Sequence, residues 1–253
     1  MAGSQERPVI EVRPLSDVGE FREVVRLQRE IWGFSEVDAL PVRLFVVCRK
    51  IGGQVFGAFD GGRMIGFCVS LPALHHGASG GIYLHSNMLG VTDGYRNAGV
   101  GRILKLAQRD DALGRGIPEI EWTFDPLEIK NAYFNMERLG AVVRRYVLNF
   151  YGVTSSALHG GLPTDRCICE WHLDSPRVRA ILEGQPAPRP AVLARVEVPE
   201  GIDALRKEDP RAAREIQARV SAQFQEHLRN GLAVTGVERT GSAGVYLFTQ
   251  WES

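Results

Sequence analysis

The chain has 253 residues, of which 44% are hydrophobic and 24% charged, and its thirty Lys and Arg balance its thirty Asp and Glu. This is the composition of a soluble globular protein with one large domain, or one domain and a smaller one. Zero net charge gives no general attraction to nucleic acid or to an anionic membrane, so any anion site must be local; no apolar run approaches the ~20 residues of a membrane span.

The N-terminal stretch MAGSQERPVIEVRP lacks a signal-peptide core and reads as a short polar tail. Val9–Val12 reads as a strand, and Val18–Trp32 repeats apolar residues (Phe21, Val24, Val25, Ile31) at helical spacing. Pro41 opens a second helix running through Ile51. The pattern then changes to short apolar runs, Gln54–Phe59, Met64–Leu71 and Ile82–Val91, separated by glycine pairs, which predicts an antiparallel meander. A glycine-rich turn follows, then a helix over Gly99–Leu113 and a strand over Ile117–Phe124. DPLEIKNAYFNMERLG predicts a helix with Asp125 as N-cap, Pro126 in the first position, Glu128 completing a capping box and Gly140 as the stop. Strands are expected at Val142–Tyr151 and Cys167–Leu173.

GQPAPRP (Gly184–Pro190) has three prolines in seven residues and is the best domain boundary. It separates a domain at 1–183, with its core at about 9–151, from a C-terminal βαββ extension at 191–253. No internal repeat is legible. The element order predicts an α/β or α+β fold with one mixed sheet. Cys48, Cys68, Cys167 and Cys169 form no CxxC pair and lie in apolar runs, as reduced thiols of a cytoplasmic protein would. The six histidines and four cysteines show no zinc-type spacing, so no metal is expected.

The turn Arg96-Asn97-Ala98-Gly99-Val100-Gly101, followed by Arg102, carries the chemistry. A helix start offers unpaired N–H groups and the positive end of the helix dipole. Small residues let a ligand reach that backbone, and two arginines flank it, so the turn is a candidate pyrophosphate cradle. A tight strand-to-helix turn without ligand is the competing reading. There is no GxxxxGK[ST], and Leu104 replaces the third glycine of GxGxxG.

VTDGYRNAGVGRIL resembles motif A of the GNAT superfamily of N-acyltransferases, R/Q-x-x-G-x-G/A, with the surrounding element order also similar over about Val9–Tyr151. The resemblance implies a GNAT-like fold with a splayed central sheet, and acetyl-CoA or another acyl-CoA as co-substrate, its pyrophosphate on Arg96–Arg102. It implies a strand at Asn87–Val91 that splays from the strand at Glu121–Phe124, with the pantetheine arm in the gap. Backbone groups of Leu89 and Val91 would hold that arm, Asn131 its far end, and the Leu89 amide would polarise the acyl carbonyl. His85 is the natural general base, and alternation puts Asn87 on the same strand face; a packed strand histidine is the alternative.

The family's usual proton-donating tyrosine falls at Met136, which cannot donate; Tyr133, one turn earlier, is the substitute candidate, and core packing the alternative. Arg144, Arg145 and Arg166 are candidates for gripping an acceptor carboxylate, with strand alternation allowing at most one of Arg144 and Arg145 into a cleft. DPL…NAYFN…LGA and PTDR resemble a subgroup that acylates amino acids. The expected function is transfer of an acetyl or other short acyl group to the amine of a small molecule, with amino acids among the candidate acceptors, in a chain whose homo-oligomerisation is left open; the alternative is a non-catalytic CoA-binding module.

Overall fold

The structure, a computed structural model, describes residues 9–75, 80–152 and 162–251. Residues 1–8 of the stretch expected as a polar tail lie outside them, as does His76. No helix among the described residues is long and apolar enough to cross a membrane.

The chain divides into two compact units, Met1–Ile120 and Glu121–Ser253. In the first, β1 (Ile10–Pro14), β2 (Gln54–Asp60), β3 (Arg63–Leu74) and β4 (Ile82–Val91) pair in sequence order, each antiparallel to the next, as the meander pattern predicts. Two helices, α1 (Val18–Trp32) and α2 (Val42–Lys50), cover one face, where Phe21, Val24 and Leu27 pack with Phe45, Val55, Phe67 and Val69. A complete capping box opens α1: Asp17 accepts from the Glu20 N–H at 2.9 Å, and Glu20 accepts from the N–H groups of Ser16 and Asp17. The other face carries α3 (Val100–Gly114), whose Val100 and Leu104 pack on Phe56, Ala58, Ile65 and Cys68.

The division falls inside β5 (Glu119–Phe124). The second unit continues with α4 (Ile129–Tyr133), a π-helical turn at Phe134–Arg138, β6 (Val142–Val147), β7 (Arg166–His172) and α5 (Pro176–Leu182). It ends with β8 (Val192–Pro199), α6 (Ile202–Glu208), α7 (Pro210–Arg229), β9 (Leu232–Arg239) and β10 (Ala243–Gln250). Its strand order is β5-β7-β6-β9-β10-β8. After the proline segment Gly184–Pro190, β9 pairs with β6, so the C-terminal strands continue the sheet of the second unit. The prolines mark a stiff crossing between two parts of one sheet.

The segment expected as one capped helix from Asp125 folds differently. Asp125 Oδ1 accepts from the Leu127 N–H at 2.9 Å, a tight Asx turn, and α4 begins only at Ile129. Arg206 takes the other Asp125 oxygen at 2.6 Å and binds Glu128 at 3.2 Å, so Glu128 makes no capping bond.

Candidate functional site

In the first unit, β4 leads through a 3-10 turn at Asp93–Tyr95 into α3. Thr92 anchors the start of the turn: its N–H and hydroxyl both donate to the Ile65 carbonyl, at 2.9 and 3.2 Å. Tyr95 hydrogen-bonds Asp60. Asn97 and Gly99 are both left-handed (φ +63° and +88°), and Gly99 is the N-cap of α3. Asparagine tolerates that conformation and glycine has no Cβ to oppose it.

The first bonds to close α3 are those of the Arg102 and Ile103 N–H groups to the Gly99 carbonyl, at 3.0 and 3.1 Å. The N–H groups of Gly99, Val100 and Gly101 precede them and have no partner within the helix. Residues Arg96 to Gly99 are exposed, so this positive helix end is open to solvent. Arg96 is held at the rim by Asp93 at 2.9 Å and by the Val91 carbonyl at 3.4 Å. A Cβ on Gly99 would meet nothing within 4 Å, so that space is clear for a ligand.

The register of β3 with β4 shifts by one residue. Val69 lies opposite Met88 and Ser70 opposite Ser86, leaving Asn87 as the extra residue of a β-bulge. The bulge corrects the expected alternation. His85, opposite Leu71, and Met88, opposite Val69, share the face covered by α1 and α2, whereas Ser86 and Leu89 lie on the α3 face. His85 is half-buried and Asn87 exposed.

Beneath the bulge lies a polar cluster that sequence reading missed. Lys105, 3% exposed, donates to Ser86 at 2.8 Å; Ser86 donates to Gln108 at 3.1 Å, and Gln108 to Ser70. Lys105 falls on the buried stripe of α3 beside Leu104, and a lysine there is the one available signal. Burial pushes the neighbouring Cys68 thiol up to about 12, although the Lys105 charge acts against it.

In the second unit Asn131 is exposed, Tyr133 half-buried and Met136 fully buried, so Met136 is a core residue. A second bulge reverses the expectation for the arginine pair. On β6, Val143 lies opposite Cys169 and Arg145 opposite Ile168, which makes Arg144 the extra residue and lets both arginines reach one carboxylate. Arg144 Nε donates to Glu170 at 2.6 Å and Arg145 Nε at 3.0 Å, and Arg145 also binds Glu121. Burial alone would lower the Arg145 pKa, but Glu121 and Glu170 outweigh it and hold it above its ordinary value. Both arginines line an open groove of about 420 Å³ between β6 and α7, together with Leu228 and Arg229. Arg166 does not join them: it is buried, with its guanidinium carbon 5.2 Å from the centre of the Tyr151 ring.

No protein-family model matches the chain, and no curated protein does. Solved structures do. Arabidopsis thaliana NAA60 in complex with acetyl-CoA superposes with a TM-score of 0.52 at 15% identity, over 65% of this chain and 99% of that one. A putative acetyltransferase of the GNAT family from Desulfovibrio desulfuricans gives 0.52 at 15% identity, over 65% and 99%. A ribosomal-protein-alanine N-acetyltransferase from Escherichia coli gives 0.51 at 14%, over 66% and 96%. This chain has the GNAT fold. At these identities the likeness speaks for the fold, and within it the Arg96–Arg102 turn keeps the R-x-x-G-x-G spacing of motif A.

Proposed function

We propose that the chain is an acyl-CoA-dependent N-acyltransferase that moves an acetyl or other short acyl group to the amine of a small molecule. The observation that carries this reading is the open end of α3, where left-handed Gly99 leaves the N–H groups of Gly99, Val100 and Gly101 ahead of the first helical bond, between Arg96 and Arg102. Such a turn suits a pyrophosphate. Backbone groups of Leu89 and Val91, both half-buried at the end of β4, would hold the pantetheine arm, with Asn131 the candidate for its far end.

In the reaction the amine nitrogen attacks the thioester carbon, the C–S bond breaks, and the thiolate takes up a proton. The Leu89 N–H would stabilise the oxyanion, and His85, directly or through water, would accept the proton that the amine loses. Tyr133 is the residue available to protonate the thiolate; water is the other source. Arg144 and Arg145 already face Glu121 and Glu170, and Arg166 stacks on Tyr151, so a grip on an acceptor carboxylate would have to displace existing contacts. We therefore keep the acceptor as a small-molecule amine, with amino acids among the candidates to assay. A second reading, a CoA-binding module without turnover, is favoured by the buried Met136 at the place of the usual acid.

Mass spectrometry of the purified protein for bound acyl-CoA, followed by that acyl-CoA against a panel of amines, tests both. Turnover supports the enzyme; tight binding without turnover on any amine supports the module; no acyl-CoA binding overturns both.

A further inference from the structure

The strand order of the second unit reads alike from both ends. The run β5, α4, π turn, β6, β7 arranges its strands β5-β7-β6, and the run β8, α6, α7, β9, β10 arranges its strands β8-β10-β9. In each, the last strand lies between the first two. The runs meet where β6 and β9 pair antiparallel, with Val143 opposite Val234.

The bulges place this meeting point more finely. Arg144 is the extra residue of β6 against β7, immediately after Val143. Thr235 is the extra residue of β9 against β10, immediately after Val234. Corresponding residues face one another only on a two-fold axis, and a slip of one residue in any of these pairings would destroy the match. The helices follow the same rule: α4 packs on β9, and α7 packs on β6. Apart from Val143 and Val234 the residues at matched places differ, VVRRYV in β6 against AVTGVE in β9, so the repeat that the sequence hides is a repeat of topology.

The second run also holds the first in place. Neither α4 nor the π turn exceeds five residues, too short to persist alone. Arg206, 7% exposed, ties down Asp125 and Glu128; the Tyr246 hydroxyl donates to the Pro126 carbonyl at 2.6 Å; the Val237 N–H donates to Glu137 at 2.8 Å. A Cβ on Gly244 would overlap the Ile129 side chain, so glycine there lets α4 seat against β10.

We propose that residues 192–250 are a second copy of the 119–172 module and serve as the chain's built-in partner for the β6 edge. Arg206 of this copy is a positioning residue for the turn that carries Asn131 and Tyr133. An uncovered β6 would present unpaired N–H and C=O groups to another molecule; here β9 of its own tail pairs with it at Val143. The link from Arg206 to acyl-CoA rests on the proposed function, while the pairing and the bracing do not.

The test uses the full chain, Arg206→Met and Arg206→Lys. Hydrogen exchange over residues 129–138 should quicken by about tenfold or more in Arg206→Met and return towards wild type in Arg206→Lys. The KM for acetyl-CoA should rise about fivefold or more in Arg206→Met, a larger change than that in kcat, again with rescue by lysine. Light scattering should give a monomer mass. Unchanged exchange in Arg206→Met, or Arg206→Lys no better than methionine, overturns the positioning role; a stable dimer cross-linked through β6 overturns the built-in partner. If the wild type binds no CoA, the proposed function fails, while the exchange and mass measurements still decide the inference.

Discussion

The buried Lys105 ammonium of α3 lies 2.8 Å from the buried Ser86 hydroxyl, and Ser86 immediately precedes the Asn87 bulge of β4. The bulge thus has a polar anchor under it, running on to Gln108 and Ser70. Lys105→Met keeps the stem and removes the donor. It should lower stability by about 1–3 kcal/mol, the cost of leaving a buried polar partner unmade. Urea unfolding measures this; a wild-type midpoint would show that the cluster contributes nothing.

Glu170 is the shared carboxylate of Arg144 and Arg145. Glu170→Gln should destabilise the second unit by about 1–3 kcal/mol, below the full cost of breaking a buried pair because both guanidiniums are partly exposed. If the arginines instead serve an acceptor carboxylate, the same variant should leave stability intact and tighten binding of amino acids.

Glu20 offers a pH test. Burial would raise its pKa, but the N–H groups of Ser16 and Asp17 and the Arg13 guanidinium outweigh it and hold it below the ordinary 4.5. A depressed folded-state pKa contributes stability that is fully present above the unfolded value and lost as pH falls through the folded one. Glu20→Gln should therefore be less stable than wild type at neutral pH, and the gap should close in acid below pH 4.5. A gap independent of pH would contradict the assignment.

Met136 is buried and Tyr133 is the one tyrosine of that helical segment. Tyr133→Phe should cost less than the ~10²-fold typical of a lost general acid, with water making up the proton. A loss of about a thousandfold in kcat with intact CoA binding would make Tyr133 the acid.

The meander, its glycine separators and the turn at Gly99 were legible because each rests on local chemistry: alternation, φ freedom, a helix start. The positions that escaped were set by partners far along the chain. Asp125 looks like a cap until Arg206 draws its carboxylate away. Arg144 and Arg145 look like opposite faces of a strand until a bulge turns both towards Glu170, and His85 and Asn87 look like one face until a bulge separates them. The bulges at Asn87 and Arg144 carry no residue signature, and neither does a topological repeat whose matched residues, Val143 and Val234 apart, differ.

Calorimetric titration of CoA into the wild type and Gly99→Glu tests the Gly99 turn as an anion cradle most directly. The fold has room for the new side chain, although its left-handed backbone is strained by any Cβ; Gly99→Asn, which tolerates that conformation, is the control. Binding should weaken by well over tenfold, roughly 1.4 kcal/mol or more, in Gly99→Glu and far less in Gly99→Asn. Equal affinity in wild type and Gly99→Glu would contradict the cradle, and with it the proposed acyl-CoA chemistry.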